Sequence, residues 1–278
     1  MRSVLPTLRP DDELLVVDSA SDTGETQVVV RSLGIRVVRA ERKGASLARN
    51  VGVSATSGDL IVFTDDDCRP EPGWLDVLER AFDDPRVGFV LGRVRADVEN
   101  ANLPFDGTSG PARTWDGLHD PIDLGVGACM AFRREAWVEA GGLDERLGPG
   151  TRLRLAEEHD LFYRLLRSGW AGRYEPDALV IHRDWRTRWD VVRYMWCVGL
   201  GTGAMVAKIA RTGGMGPARP LLRRRLVDDG VLAIGRDLAK HWEVPALADT
   251  FKLLGTVVGL SVGSLLPLDG EHFRRPSP

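Results

Sequence analysis

Three consecutive carboxylates, Asp65, Asp66 and Asp67, follow the apolar run Leu60-Ile61-Val62-Phe63 and precede Cys68-Arg69-Pro70. Adjacent like charges repel, so such a cluster calls for a cation. In an extended segment Asp65 and Asp67 point to the same side. Hard oxygen ligands at that spacing suit Mg²⁺ or Mn²⁺, which would bridge to a substrate's phosphates. Taken alone, the triplet reads equally well as a solvated acidic turn, because short acidic motifs are common by chance. Other chemistry-bearing groups stand at the ends of apolar runs. Asp18 closes Glu13–Val17, the pair Glu157-Glu158 opens an apolar-periodic stretch, and His182 follows Ala178–Ile181. Lys43-Gly44 and Ala48-Arg49-Asn50 add positive and polar groups near the first of these.

The elements that must position these groups alternate between periods of two and of 3.6. Strands are expected over 13–18, 35–39, 59–64, 87–94, 127–132 and 178–181. Helices are expected over 27–33, 46–54, 73–82, 135–140 and 157–167. Leu60–Thr64 is too short for a helix and is bounded by Gly58 and Pro70, so it reads as a buried strand of a parallel sheet. Strands alternating with helices imply βαβ units, and such sheets bind ligands at the carboxyl ends of their strands. Asp18, Asp65, Asp67, the pair Glu157-Glu158 and His182 can therefore converge on one edge. Glu99–Asp123 reads as a long loop rich in Asn, Gly, Pro and Thr. Beyond Arg183 the pattern turns helical, with helices expected over 189–208, 221–242 and 245–266. A division into domains at 1–188 and 189–278 follows.

Composition narrows the classes. The chain has 278 residues, 43% of them hydrophobic and 28% charged, enough for a sizeable core. Its net charge of −3 argues against a dedicated nucleic-acid binder. Cys68, Cys129 and Cys197 lie far apart with no metal-binding spacing and fit a reducing compartment. No signal peptide opens the chain, so a cytoplasmic location is expected, with the inner face of a membrane as its variant. The uncharged stretch Leu253–Leu268 spans 16 residues, short of the roughly 20 that a crossing helix needs. With the cluster Arg223-Arg224-Arg225, it can lie on a membrane surface or pack against the catalytic domain.

The phrases VVDSAS, KGASLARN, FTDDDCRPEPGW, GACMAFRREAWVEAGGLDE, AEEHDLFYRLLRSG and YEPDALVIH, in that order, resemble family 2 glycosyltransferases with the GT-A fold, over about Glu13 to Tyr194. The resemblance implies an α/β architecture, a mainly parallel sheet flanked by helices, and a C-terminal helical extension. It also implies transfer of a sugar from a nucleotide-diphosphate donor, most commonly a UDP-sugar, to an acceptor hydroxyl, usually with inversion. Asp67, Asp65 and His182 would hold Mg²⁺ or Mn²⁺. Asp18, Lys43, Arg49, Asn50, Asp65 and Asp66 would contact the donor. The family commonly has Glu-Asp where this chain has Glu157-Glu158. Glu158 is the matching base, but the choice between the two stays open. Trp115 and Asp160 are candidates for acceptor contact, although Asp160 can also simply favour its helix dipole. An inactive nucleotide-sugar binder of the same fold is the alternative, and a sugar nucleotidyltransferase lacks the Gly-rich, basic N-terminal loop it would need.

The chain departs from the family at its start. Its first legible strand matches the family's second, which is expected to leave unpaired backbone and a slot in the core. A start site set too late is the preferred reading, beside a trimmed chain or a slot filled by another route.

Overall fold

The structure is a computed structural model that describes residues 3–97, 109–183, 188–240 and 242–274. The chain forms two compact units. The first comprises 1–43, 47–143 and 158–185, and the second 44–46, 144–157 and 186–278. A single cut at residue 188 would leave 44–46 and 144–157 with the first unit.

In the first unit β1 (Leu15–Asp18), α1 (Glu25–Ser32) and β2 (Arg36–Arg39) make a βαβ unit whose two strands pair in parallel. Helix α2 (Ala45–Ser54) leads to the main sheet of six strands. These are β3 (Leu60–Thr64), β4 (Cys68–Pro70), β5 (Val87–Ala96), β6 (Arg113–Trp115), β7 (Cys129–Arg133) and β8 (Ala171–His182). Their order is β3-β7-β5-β8-β4, with β6 also on β8.

The pairing is mixed where a mainly parallel sheet was expected. Only β5 and β8 run parallel, whereas β7 and β4 oppose their neighbours. The tight turn at Asp66–Asp67, closed by the Cys68 N–H on the Asp65 carbonyl, reverses the chain, so β4 runs opposite to β3 and lies antiparallel to β8.

The first half of β5, residues 87–92, is buried on both faces, which is why it reads as an apolar run before Arg93 and Arg95. Phe89 and Leu91 face one core with Met130 and Phe132 of β7, Trp115 of β6 and Phe162 of α5 (Glu157–Arg167). Phe89 stacks on Phe162 with centroids 4.9 Å apart. Val90 and Val94 face a second core with Cys129 and Ala131 of β7 and with Trp74 and Leu78 of α3 (Trp74–Arg80). A short α4 (Arg134–Glu139) follows β7 directly. Strand β8 is longer than its sequence signal because Arg173, Glu175 and Asp177 hide its first half. β6 lies within the expected loop, whose residues 98–108 are outside the described ones.

β1 pairs only with β2, and β3 only with β7, so each keeps one edge without a strand partner among the described residues. A cavity of about 710 Å³ lies against both edges.

The second unit is built on α6 (Arg188–Gly213) and α9 (Glu243–Leu265). Their backbones approach closely through Gly255, Gly259 and Gly263, and a Cβ at Gly259 would sit 2.2 Å from the Leu200 carbonyl oxygen. Helix α9 has 23 residues, close to the helix expected over 245–266 and longer than its uncharged stretch, and is long and apolar enough by composition to cross a membrane. The single helix expected over 221–242 is instead α7 (Met215–Arg223), a π-helical segment over Arg224–Val231, and α8 (Leu232–Ala239). Arg225 is buried and bonded to Asp229, so it leaves the basic cluster. A two-stranded hairpin, β9 (Leu268–Asp269) and β10 (His272–Phe273), ends this unit. Asp144, buried in it, accepts from Lys208 Nζ at 2.6 Å and from the Phe273 N–H at 2.8 Å.

Candidate active site

The acidic triplet does not run on as a strand. The Cys68 N–H donates to the Asp65 carbonyl at 3.1 Å, closing a four-residue turn with Asp65 at its first position. The turn, rather than an extended backbone, brings Asp65 and Asp67 together. It also reverses the chain into β4, where Cys68 stands opposite His182 of β8. The Arg183 N–H donates to the Asp67 carbonyl at 3.0 Å, fixing this register. His182 Nε2 thereby lies 3.5 Å from Asp67 Oδ1. One ligand atom from each of Asp65, Asp67, Cys68 and His182 falls within 4.8 Å of the others.

Two carboxylates and an imidazole form a hard-to-intermediate donor set that suits Mn²⁺ or Mg²⁺. Burial, aided by Asp65 and Asp67, pushes the Cys68 thiol up to about 12. Its soft sulfur is a poorer match than the carboxylates for a hard divalent ion. Asp66 is exposed and stands outside the group.

Arg49 donates from its guanidinium to Asp65 Oδ1 at 3.0 Å, so it balances the acidic turn. Asp18 is buried at the end of β1. Its carboxylate accepts from the Ser21 N–H at 2.9 Å, from Gln27 Nε2 at 3.3 Å and from Arg39. Ser21, through its hydroxyl and N–H, then Gln27 and Arg39 hold this carboxyl well below the usual carboxylate range against the opposing effect of burial. Sequence reasoning missed Arg39. Its signal was its place at the end of β2, in register with Asp18. Lys43 pairs with Asp22 at 2.8 Å, and both side chains are exposed.

Helix α5 begins at the Glu157-Glu158 pair. Glu158 is buried, and its Oε2 has no hydrogen-bond partner among the described residues. Gly127 makes room for it, since a Cβ there would lie 3.5 Å from Glu158 Oε1. Glu157 faces elsewhere. It packs on Gly148, where a Cβ would meet the Glu157 carboxyl carbon at 2.9 Å and Ser46 Oγ at 2.7 Å.

Three expected contacts have other partners. Asn50 Nδ2 donates to the Leu143 carbonyl at 2.9 Å and its Oδ1 accepts from the Leu143 N–H at 3.0 Å, which clamps the chain after Gly141-Gly142. Asp160 accepts from Arg164 Nε at 3.0 Å, both side chains being buried, and Arg164 also donates to the carbonyls of Ala140 and Gly142. Trp115 sits in the core opposite Gly172, where an apolar ring gains more than on a loop surface.

Against this geometry, the profile of Glycosyl transferase family 2 matches residues 1–139. The chain belongs to that family. A pre-mycofactocin glycosyltransferase of Mycobacterium tuberculosis is 34% identical over 167 residues, which cover 52% of this chain and 33% of that protein. An N-acetylglucosaminyl-diphospho-decaprenol L-rhamnosyltransferase of the same organism is 25% identical over 218 residues, covering 64% of this chain and 68% of that one. The chain thus spans a third of the pre-mycofactocin glycosyltransferase's length. Among solved structures, a mannosyltransferase from Pyrobaculum calidifontis in complex with GDP-Man and Mn²⁺ superposes with a TM-score of 0.59 at 17% identity, over 93% of this chain and 81% of that one. S. aureus TarS in complex with UDP-GlcNAc gives a TM-score of 0.54 at 13% identity, over 92% and 85%. The fold is therefore GT-A, a mixed sheet flanked by helices.

Proposed function

We propose that this glycosyltransferase site moves a glycosyl group from a nucleotide-diphosphate sugar, with UDP-sugars the first donors to test, to an acceptor hydroxyl with inversion. The observation that carries the reading is the convergence of Asp65, Asp67 and His182, from the ends of β3 and β8, on one point. These three would hold Mn²⁺ or Mg²⁺, which when bound supplies Lewis-acid neutralisation of the departing diphosphate.

The chain's own residues do the rest. Arg49 holds Asp65 in place and adds positive charge beside the donor's phosphates. Asp18, kept ionised by its donors, offers acceptor oxygens to the donor's nucleoside. Glu158 takes the proton from the acceptor hydroxyl as that oxygen attacks the anomeric carbon. The bond to the diphosphate breaks on the opposite face and the leaving group keeps its electron pair, so a single displacement inverts the centre. Glu158 is preferred over Glu157 because it holds the position that matches the family's base and lies beside Gly127, whereas Glu157 is packed against Gly148 and Ser46; the Oε2 atoms of both are buried without a hydrogen bond among the described residues, and that of Glu158 lies 3.8 Å from His159 Nδ1.

A thermal-shift panel of nucleotide diphosphates and their sugars, with and without Mn²⁺, tests this directly. At least one donor should raise the melting temperature only with the ion present. Glu158→Gln should keep that shift while losing roughly 10²- to 10⁴-fold in donor turnover. A shift with no turnover in the wild type would favour the inactive binder, and no shift with any donor would remove the reading.

A further inference from the structure

The register of the main sheet gathers arginines beside the candidate cation site. Ile181 of β8 stands opposite Arg69 of β4 on one side and Arg95 of β5 on the other, and residues in register share a face. By the alternation of a strand, Arg183 lies on that face two positions beyond Ile181. The adjacent row holds Cys68, His182 and Ala96, so Arg95 is one residue from the row of the metal-ligating histidine. The charge of Arg69 is taken up by Glu71 at 3.1 Å. Arg95 and Arg183 are exposed, and neither guanidinium has a hydrogen-bond or ion-pair partner among the described residues, Asp97 included. Like charges in neighbouring sheet positions repel, so this arrangement calls for an anion. The base lies on the same face. Val90 and Val94 turn to the α3 side, so Phe89, Leu91, Arg93 and Arg95 turn to the α5 side, where Phe89 stacks on Phe162. Leu91 pairs with Met130, and counting on along both strands brings Gly127, on which Glu158 packs, level with Val94. All these residues belong to the first unit.

We propose that Arg95 and Arg183 form a phosphate subsite and that the acceptor is an alcohol bearing a phosphate. A guanidinium is a planar fork that holds phosphate through two parallel N–H···O bonds, and two uncommitted guanidiniums match the double negative charge of a phosphate monoester. The donor's diphosphate has its own cations, the metal ion and Arg49, on the β3 and α2 side of the acidic turn. The charge at the ends of β5 and β8 is therefore left for the other substrate. It holds the acceptor so that its hydroxyl meets Glu158, and it offsets the repulsion between the acceptor's phosphate and that carboxylate. The phosphate itself makes and breaks no bond. The acceptor oxygen bonds to the anomeric carbon, its proton passes to Glu158, and the donor's diphosphate departs with the bonding electron pair. The assignment to the acceptor rests on the transferase reading, whereas the binding of phosphate at these two arginines does not.

The test is a titration of the full chain with inorganic phosphate at constant ionic strength, followed by the arginine Nε–Hε resonances, with UDP and Mg²⁺ present to fill the donor side. The signals of Arg95 and Arg183 should shift and saturate, while that of Arg80, exposed on α3, should not move. Arg95→Gln and Arg183→Gln should each weaken phosphate at least about tenfold, as loss of a charge-assisted pair does. Shifts that do not saturate, or unchanged phosphate affinity in both folded variants, would overturn the subsite. A second arm measures donor consumption with glycerol 3-phosphate and with glycerol. The phosphorylated alcohol should be used at least about tenfold more efficiently, through KM, and the double variant should lose that preference. Equal use of both alcohols by the wild type would overturn the assignment to the acceptor. Saturable shifts with no turnover of any donor would uphold the phosphate subsite and count against the transferase reading instead. Tighter binding of dihexanoyl phosphatidic acid than of glycerol 3-phosphate at the same two arginines would uphold the subsite and make a lipid the source of the phosphate.

Discussion

Replacing Lys208 by methionine should be among the most damaging single changes in the second unit. Lys208 is 2% exposed and donates to Asp144, which is fully buried. Methionine preserves most of the volume and apolar contact but strands the carboxylate. Breaking a buried pair by removing one partner costs about 3–5 kcal/mol, because an uncompensated charge stays inside. The Phe273 N–H still donates to Asp144, which places the expectation at the lower end, about 3 kcal/mol. Adding Asp144→Asn removes the charge while keeping an oxygen for the Phe273 N–H, so the double variant should recover at least about 1 kcal/mol. Urea denaturation of the wild type, Lys208→Met and the double variant measures both numbers. A loss below about 1 kcal/mol in the single variant, the scale of an exposed pair, would refute the reasoning.

Other consequences are equally open to measurement. Trp115→Ala should lower stability by about 3–5 kcal/mol as a core truncation while leaving the acceptor KM of the folded fraction unchanged. Gly259→Ala must push the α9 backbone off Leu200, and its calorimetric melting should fall by an amount equivalent to about 1–3 kcal/mol. Asp18 has a depressed folded-state pKa, so its stabilising contribution is complete above the unfolded value of about 3.9 and is lost as pH falls below it. The stability gap between wild type and Asp18→Asn should then stay flat from about pH 5 to pH 8 and shrink below about pH 4. Helix α9 exposes Leu247, Phe251, Leu254 and Val258, and the chain should co-float with anionic liposomes more strongly than Phe251→Asp does. No flotation of the wild type would remove the membrane reading.

Much of the site was legible because strand ends are marked by abrupt changes of residue type. Leu60–Phe63 into three aspartates, and Ala178–Ile181 into His182, announce the two edges that meet. The means of meeting was not legible. Extended-strand logic put Asp65 and Asp67 on one side, whereas the chain turns at Asp66–Asp67 and pairs Cys68 with His182. Sheet direction failed for a related reason, since strand runs such as Cys129–Arg133 carry no mark of which way they will lie. Asn50, Asp160 and Trp115 show the limit of residue type as a guide. A polar or aromatic side chain near a site is often committed to holding a loop or filling a core, and only its partners reveal that. Lys208 follows the apolar and small-residue stretch of α6 over 195–207, and nothing local pairs it with Asp144, 64 positions earlier.

Mn²⁺ binding followed by electron paramagnetic resonance, with nucleotide diphosphate present, bears most directly on the claim that Asp65, Asp67 and His182 form one cation site. The wild type should bind the ion at a single site, and Asp67→Ala and His182→Ala should each weaken it by at least about tenfold, as loss of a ligand does. Unchanged Mn²⁺ affinity in both folded variants would contradict the account.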